Sequence, residues 1–358
     1  MARPYNRGNG VWVPRVIASE GKQSIWAPEF LDCFVASLLA MTEQQERGGA
    51  RVDIQQLVKD VLADVEVYRG HGEVASYIPA LAAVDPRKLA LAIACKDGQV
   101  YGAGDADEPF SIQSISKVFA LNLALDRVGA ALWNHVGREP AGSPFNALVQ
   151  LEAEKGKPRN PLINAGAIVT VDNIIGDGSA DEAVAEILAF LRDRSTEGSV
   201  DIDSQVAMSE SQAGFLNRSL AYFVSAFGNL RNPVEEVLSA YFRQCAIAMS
   251  CRQLARAALY LAFDGVDPVS GKEVTIASRA RRINALMLTC GHYDNSGDFA
   301  YRIGLPGKSG VGGGILTIVP GFGAIVAWSP GLNAAGTSLA GAAALERLVE
   351  RTGWSVFV

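Results

Sequence analysis

The sequence predicts an α+β protein: an antiparallel sheet flanked by helices, with a helical subdomain inserted into it. Two observations lead there. Apolar runs joined by tight turns lie towards both ends of the main part of the chain, and the long stretch between them reads almost wholly as amphipathic or apolar helix. With 358 residues, 49% of them apolar and 20% charged, the chain can bury a large core.

Residues 1 to 50 stand apart as an extension of unknown role. The glycines of 8–10 and the Gly48-Gly49 pair bracket one expected helix, Phe30 to Arg47. An amphipathic helix follows from Asp53 to about Tyr68, with Ile54, Leu57, Val58, Val61 and Leu62 on one face. Leu89–Cys95 and Val100–Ala103, joined across Asp97-Gly98, read as a β-hairpin. Between 114 and 289 the helices expected include Ile115–Arg127, Asp181–Arg194, Arg218–Phe227, Val234–Arg243, Arg252–Phe263 and Ser278–Cys290. A second hairpin, Ile315–Val319 with Ala324–Trp328, then a helix Leu339–Arg351 and a strand Trp354–Val358 close the chain. Tight hairpins make the sheet antiparallel, which removes the usual reason to expect a dinucleotide site.

Composition narrows the function. The net charge is −6 and no Lys/Arg stripe is present, so nucleic acid is not an expected partner. The apolar stretch Cys33–Met41 is too short to span a bilayer and follows Glu29 and Asp32 rather than a basic segment; neither export nor membrane anchoring is expected, and the cytoplasm is the predicted location. The five cysteines (Cys33, Cys95, Cys245, Cys251, Cys290) show no C-x-x-C pairing and read as reduced thiols. With His71, His135 and His292 alone and widely spaced, neither a metal site nor a Ser-His-Asp triad is expected, and no cofactor. Nucleophilic chemistry here needs a base other than histidine.

Ser114-Ile115-Ser116-Lys117 supplies one. Placed at the start of an apolar helix, Ser114 and Lys117 fall about one turn apart on one face, and burial lowers the lysine enough for it to take the serine proton. Taken alone the motif is short, and Ser114 reads as well as a helix cap. A second feature shifts the balance: Gly307-Lys308-Ser309-Gly310-Val311-Gly312-Gly313-Gly314 precedes an apolar strand. Lys-Ser/Thr-Gly before a strand resembles the third element of the serine β-lactamase and penicillin-binding-protein pattern, where the strand offers backbone N–H groups to an oxyanion. The order needed for a phosphate-binding loop is absent. Asn164, in an apolar run, and Glu210 with Asn217 are polar for their surroundings; judged separately, Asn164 reads at least as well as a helix cap, and Glu210 as a solvated side chain, as either does as a functional residue.

Together these segments, with Val74-Ala75-Ser76-Tyr77-Ile78-Pro79, Pro144-Phe145-Asn146, Asn164-Ala165-Gly166-Ala167, Ser209-Glu210 and Tyr241-Phe242-Arg243-Gln244-Cys245, resemble the serine-dependent glutaminase family of the β-lactamase/transpeptidase-like fold. The match runs in order from about Gly72 to Val358. The resemblance implies a catalytic domain at 51–358, with a sheet subdomain at about 51–113 and 291–358 and a helical subdomain at about 114–290. It implies Ser114 as nucleophile, Lys117 as base, and Tyr293 and Tyr77 facing the reacting group, with Tyr293 able to relay a proton to departing ammonia. The Ser114 and Val311 amides would form the oxyanion hole, and Asn164, Glu210, Asn217 and Tyr241 would hold the amino-acid end of L-glutamine. A homodimer or homotetramer is also implied. Another serine hydrolase of this fold, or a catalytically silent amino-acid-binding protein, are the alternatives.

Overall fold

Side-chain size alternates along Ala90–Cys95, and that alternation distinguishes the two faces of the sheet it enters. The computed structural model describes residues 53–141, 148–195 and 199–357, all in one compact unit. The expected helix Phe30–Arg47, Cys33, the rest of the N-terminal extension, Pro144-Phe145-Asn146 and Val358 lie outside the described residues. Strands β1 (Ala90–Cys95) and β2 (Val100–Gly104) form the first hairpin. Two very short strands, β3 (Phe110–Ser111) and β4 (Asp201–Ile202), belong with β5 (Ile247–Met249) to a separate small sheet in the order β3-β5-β4. Strands β6 (Gly307–Ser309), β7 (Gly314–Val319) and β8 (Gly323–Trp328) complete the main antiparallel sheet, ordered β2-β1-β8-β7-β6.

In β1, Ala90, Ala92 and Ala94 face the larger core shared with the helical region, whereas Leu91 and Ile93 face a second core on the opposite side. The period of two sets the faces, and alanines on one of them let a helix come close. That helix, Cys251–Ala258, starts from a capping box in which Ser250 and Gln253 exchange backbone bonds, and it packs on β1 and β8. The opposite face is covered by Ile54–Asp64, capped by Asp53, and by Leu339–Thr352. Both faces of β1, β7 and β8 are thus buried, which is why these three strands read as apolar runs.

The helices that position the site are α1 (Ser116–Val128), α2 (Asn164–Ile175), α3 (Ser204–Ala213), α4 (Phe215–Ala226) and α5 (Val234–Cys245). Helices α1 and α2 pack on each other and are buried nearly all round, which explains their apolar sequences. No helix among the described residues is long and apolar enough to cross a membrane.

One expectation needs correction. Trp354 onward is not a strand: its ring packs on Phe322 at 4.1 Å between centroids, and a single bond from the Val356 N–H to the Gly304 carbonyl (2.8 Å) replaces a ladder. The sheet ends at β2 and β6; Lys308 and Ser309 form the short edge strand β6, which the sequence did not announce, and the motif leads directly into the apolar strand β7 as expected.

Candidate active site

The small sheet delivers the serine. Ser111 pairs with Ala248, the Ile112 N–H donates to the Ile247 carbonyl (2.9 Å), and the chain then turns sharply through Gln113, at φ +48°. Positive φ is costly for a residue with a side chain and persists only where surroundings hold it. Ser114 sits in the 3₁₀ turn Gln113–Ile115 and Lys117 in the first turn of α1. Three positions apart across this junction, the two side chains fall about one turn from each other. Both side chains are buried, at 6% and 1% exposed.

Lys117 Nζ donates to Asn164 Oδ1 at 2.6 Å and lies 5.8 Å from the Tyr241 ring centroid. Burial pushes the ammonium down to about 8, against smaller upward pulls from Cys245 and Glu210. An amine in that range donates one N–H to Asn164 and keeps a lone pair for a proton. Ser114 itself is hydrogen-bonded with the Tyr293 hydroxyl. Tyr293, also at positive φ (+58°) and buried, is pushed up to about 12, mainly by burial. Beneath its ring stands a second fully buried lysine, Lys308, with Nζ 4.4 Å from the centroid and bonds to the Gly291 (2.8 Å) and Ser309 (2.6 Å) carbonyls. Burial, with the Lys117 charge adding to it, drives Lys308 well below the usual lysine range.

On the other side of Ser114 lies a polar wall. Glu210, from α3, is buried rather than solvated, at 6% exposed, and burial pushes it up to about 7. A hydrogen bond from Gln113 and the charge of Lys117 pull the other way. Asn164 is the first residue of α2 rather than its cap, which is Ile163; its Nδ2 donates to Asn217 Oδ1 at 2.9 Å. Tyr241, from α5, is buried and hydrogen-bonded with the Cys245 thiol one turn on.

The β6–β7 loop closes over the nucleophile. A Cβ at Gly310 would stand 2.6 Å from the Ile112 carbonyl oxygen and 3.4 Å from the Ser114 nitrogen, so only glycine lets this backbone pass so close. The next residue is Val311. Among the described residues neither the Ser114 N–H nor the Val311 N–H has an acceptor.

Tyr77, Ser114, Asn164, Glu210, Asn217, Tyr241, Tyr293 and Val311 all line one cavity of about 400 Å³. Tyr77 stands at its rim, 58% exposed. Lys117 reaches this group from below through Asn164. Three contributors received no role from the sequence, although Cys245 and Lys308 stand in its motifs: Gln113, Cys245 and the side chain of Lys308. Cys245 is detectable as the position one helical turn after Tyr241, and Lys308 as the lysine of its motif; Gln113 carried no signal beyond adjacency to the serine.

Comparison with known proteins gives a consistent picture. A family model described as glutaminase matches residues 72–357. The chain is 57% identical to a glutaminase of Rhizobium rhizogenes over 305 residues, 85% of this chain and 99% of that protein. It is also 57% identical to a thermolabile glutaminase of Rhizobium etli over the same shares. Among solved structures it resembles the probable glutaminase ybaS at 39% identity and a TM-score of 0.80, covering 85% of this chain and 97% of that one. A probable glutaminase of Bacillus subtilis superposes with a TM-score of 0.78 at 32% identity, covering 84% and 97%.

Proposed function

The chain belongs to the glutaminase family, and on that premise we propose that it hydrolyses L-glutamine to L-glutamate and ammonia through a γ-glutamyl ester on Ser114, with Lys117 as base. The observation that carries the reading is convergence. A candidate nucleophile, two unoccupied backbone donors and a polar wall meet at one cavity, and a lysine lowered to about 8 reaches that cavity through Asn164.

Neutral Lys117 accepts the Ser114 proton as Oγ attacks the γ-carboxamide carbon. The developing oxyanion sits against the Ser114 and Val311 N–H groups, where preorganised dipoles stabilise the transition state more than the substrate. Collapse breaks the C–N bond, and the Tyr293 hydroxyl, resupplied from Lys117, delivers the proton that lets ammonia leave. Water then takes the place of ammonia, adds to the ester carbonyl while giving its proton to the same relay, and releases glutamate as Ser114 regains its proton.

The wall sets specificity. Ionised Glu210 meets the α-ammonium, while Asn164, Asn217 and Tyr241 supply the amide and hydroxyl donors that an α-carboxylate needs. Holding both groups excludes glutamine within a peptide, whose α-groups are amides.

Purified protein is expected to release ammonia from L-glutamine, and Ser114→Ala is expected to abolish release while unfolding at an unchanged temperature. Undiminished activity in Ser114→Ala would overturn the mechanism.

A further inference from the structure

The Ser114-Ile115-Ser116-Lys117 motif contains a second serine that the chemistry leaves without a role, and so does Gln244 in the segment carrying Tyr241. Both side chains are fully buried, and neither is among the residues lining the cavity. They touch each other: Gln244 Nε2 donates to Ser116 Oγ at 3.1 Å, and Ser116 Oγ donates to the Gln113 carbonyl at 2.7 Å. The direction of the chain is fixed by proton count. A hydroxyl has one hydrogen; Ser116 gives it to Gln113, so it must accept from Gln244, which turns the amide nitrogen inward.

We propose that Gln244, acting through Ser116, is a positioning residue that holds the strained turn at Gln113 and thereby aims Ser114. The inference rests on Ser114 being the nucleophile. The Gln113 carbonyl belongs to the residue at φ +48° immediately before Ser114, and it receives both the backbone N–H and the hydroxyl of Ser116. Two donors on one carbonyl fix the peptide that joins Gln113 to Ser114, and with it the direction in which the backbone presents the serine. A parallel strut supports the near side of the turn. Gln113 Nε2 donates to Ser111 Oγ (3.0 Å), which donates to the Cys245 carbonyl (2.9 Å). Gln244 and Cys245 are consecutive residues at the end of α5, one turn beyond Tyr241. The helix that supplies a wall residue therefore also fixes the orientation of the nucleophile, so the two halves of the site keep register.

Packing alone does not account for Gln244. Its Oε1 is buried with no hydrogen-bond partner among the described residues. A half-satisfied buried amide costs stability, and an apolar side chain of the same length would avoid that cost. The presence of an amide there fits a role in aiming the serine.

The test compares wild type, Ser116→Ala, Gln244→Met and the double variant, measuring kcat and KM for L-glutamine and the unfolding midpoint of each. Each single variant is expected to lower kcat about tenfold, equivalent to ~1.4 kcal/mol of barrier, with KM within about twofold. Gln244→Met should keep or raise the midpoint, and the double variant should lose no more than Ser116→Ala alone, because the two act in series. Unchanged kcat in Ser116→Ala, additive losses in the double variant, or a lower midpoint with normal kcat in Gln244→Met would each overturn the relay. Should Gln244→Met not fold, Ser116→Ala decides through its split between kcat and KM. Wild type that releases no ammonia would instead remove the functional reading beneath the proposal.

Discussion

Replacing Glu210 by glutamine should make the protein more stable and a worse enzyme, with the two effects separated by pH. Glu210 is 6% exposed and held at about 7, against 4.5 for a free glutamate, chiefly because burial disfavours its charge. A shift of that size corresponds to a cost on the order of 3 kcal/mol for keeping the carboxylate ionised in the fold. The sign follows from the two values. Below about pH 4.5 the carboxyl is protonated in both states and costs nothing; the cost grows between 4.5 and 7 and is fully present above. Glu210→Gln should therefore raise the unfolding midpoint at pH 8 and leave it nearly unchanged near pH 4.5.

The catalytic effect runs oppositely. Without the carboxylate the substrate ammonium enters a buried wall unpaired. Losing one partner of a buried charge pair costs ~2–4 kcal/mol, so kcat/KM should fall by about 30- to 1,000-fold, mostly through KM. The charge of Glu210 also raises Lys117. Its removal should let the lysine drop further below about 8, moving the acid limb of the kcat profile to lower pH. The assay is ammonia release against L-glutamine concentration from pH 5.5 to 9 by approximately half-unit steps, beside thermal unfolding at the two pH values. An unchanged KM, an acid limb displaced upward, or a lower midpoint at pH 8 would each refute the reasoning.

Tyr293→Phe removes the hydroxyl bonded with Ser114 and should cut kcat by about 10²- to 10³-fold with little change in KM, the range for a lost proton-transfer group; activity within twofold of wild type would remove Tyr293 from the relay. Gly310→Ala places a methyl 2.6 Å from the Ile112 carbonyl and should push the Val311 loop off the nucleophile, lowering kcat by about 10- to 100-fold; steady-state kinetics showing full activity would dissociate that loop from the oxyanion.

Much of this was legible in the sequence, for identifiable reasons. The two hairpins were visible because β1, β7 and β8 are buried on both faces and so read as continuous apolar runs between turn residues. The small sheet under the nucleophile was not, because strands of two or three residues such as β3 and β5 carry no periodicity. Trp354 looked like a strand because its aromatic and β-branched neighbours suit one, but no strand among the described residues pairs with them. In the site, spacing made Ser114 and Lys117 candidates but left Ser114 equally a helix cap, and the Lys308-Ser309-Gly310 motif tipped the balance. Glu210 and Asn164 separately looked like ordinary surface and cap residues; burial against Gln113 and Lys117 gives them their character, and burial belongs to the fold rather than to the local sequence. Gln244 and Ser116 show the limit most clearly, since their relation exists only where α5 meets the start of α1.

The most direct test of the central claim is to mix the protein with L-glutamine, quench within the first turnovers, and locate any covalent adduct by peptide mass spectrometry. The account predicts a γ-glutamyl ester on the peptide containing Ser114, formed as ammonia is released and absent from Ser114→Ala. Rapid ammonia release with no adduct at Ser114, together with full turnover by Ser114→Ala, would contradict it.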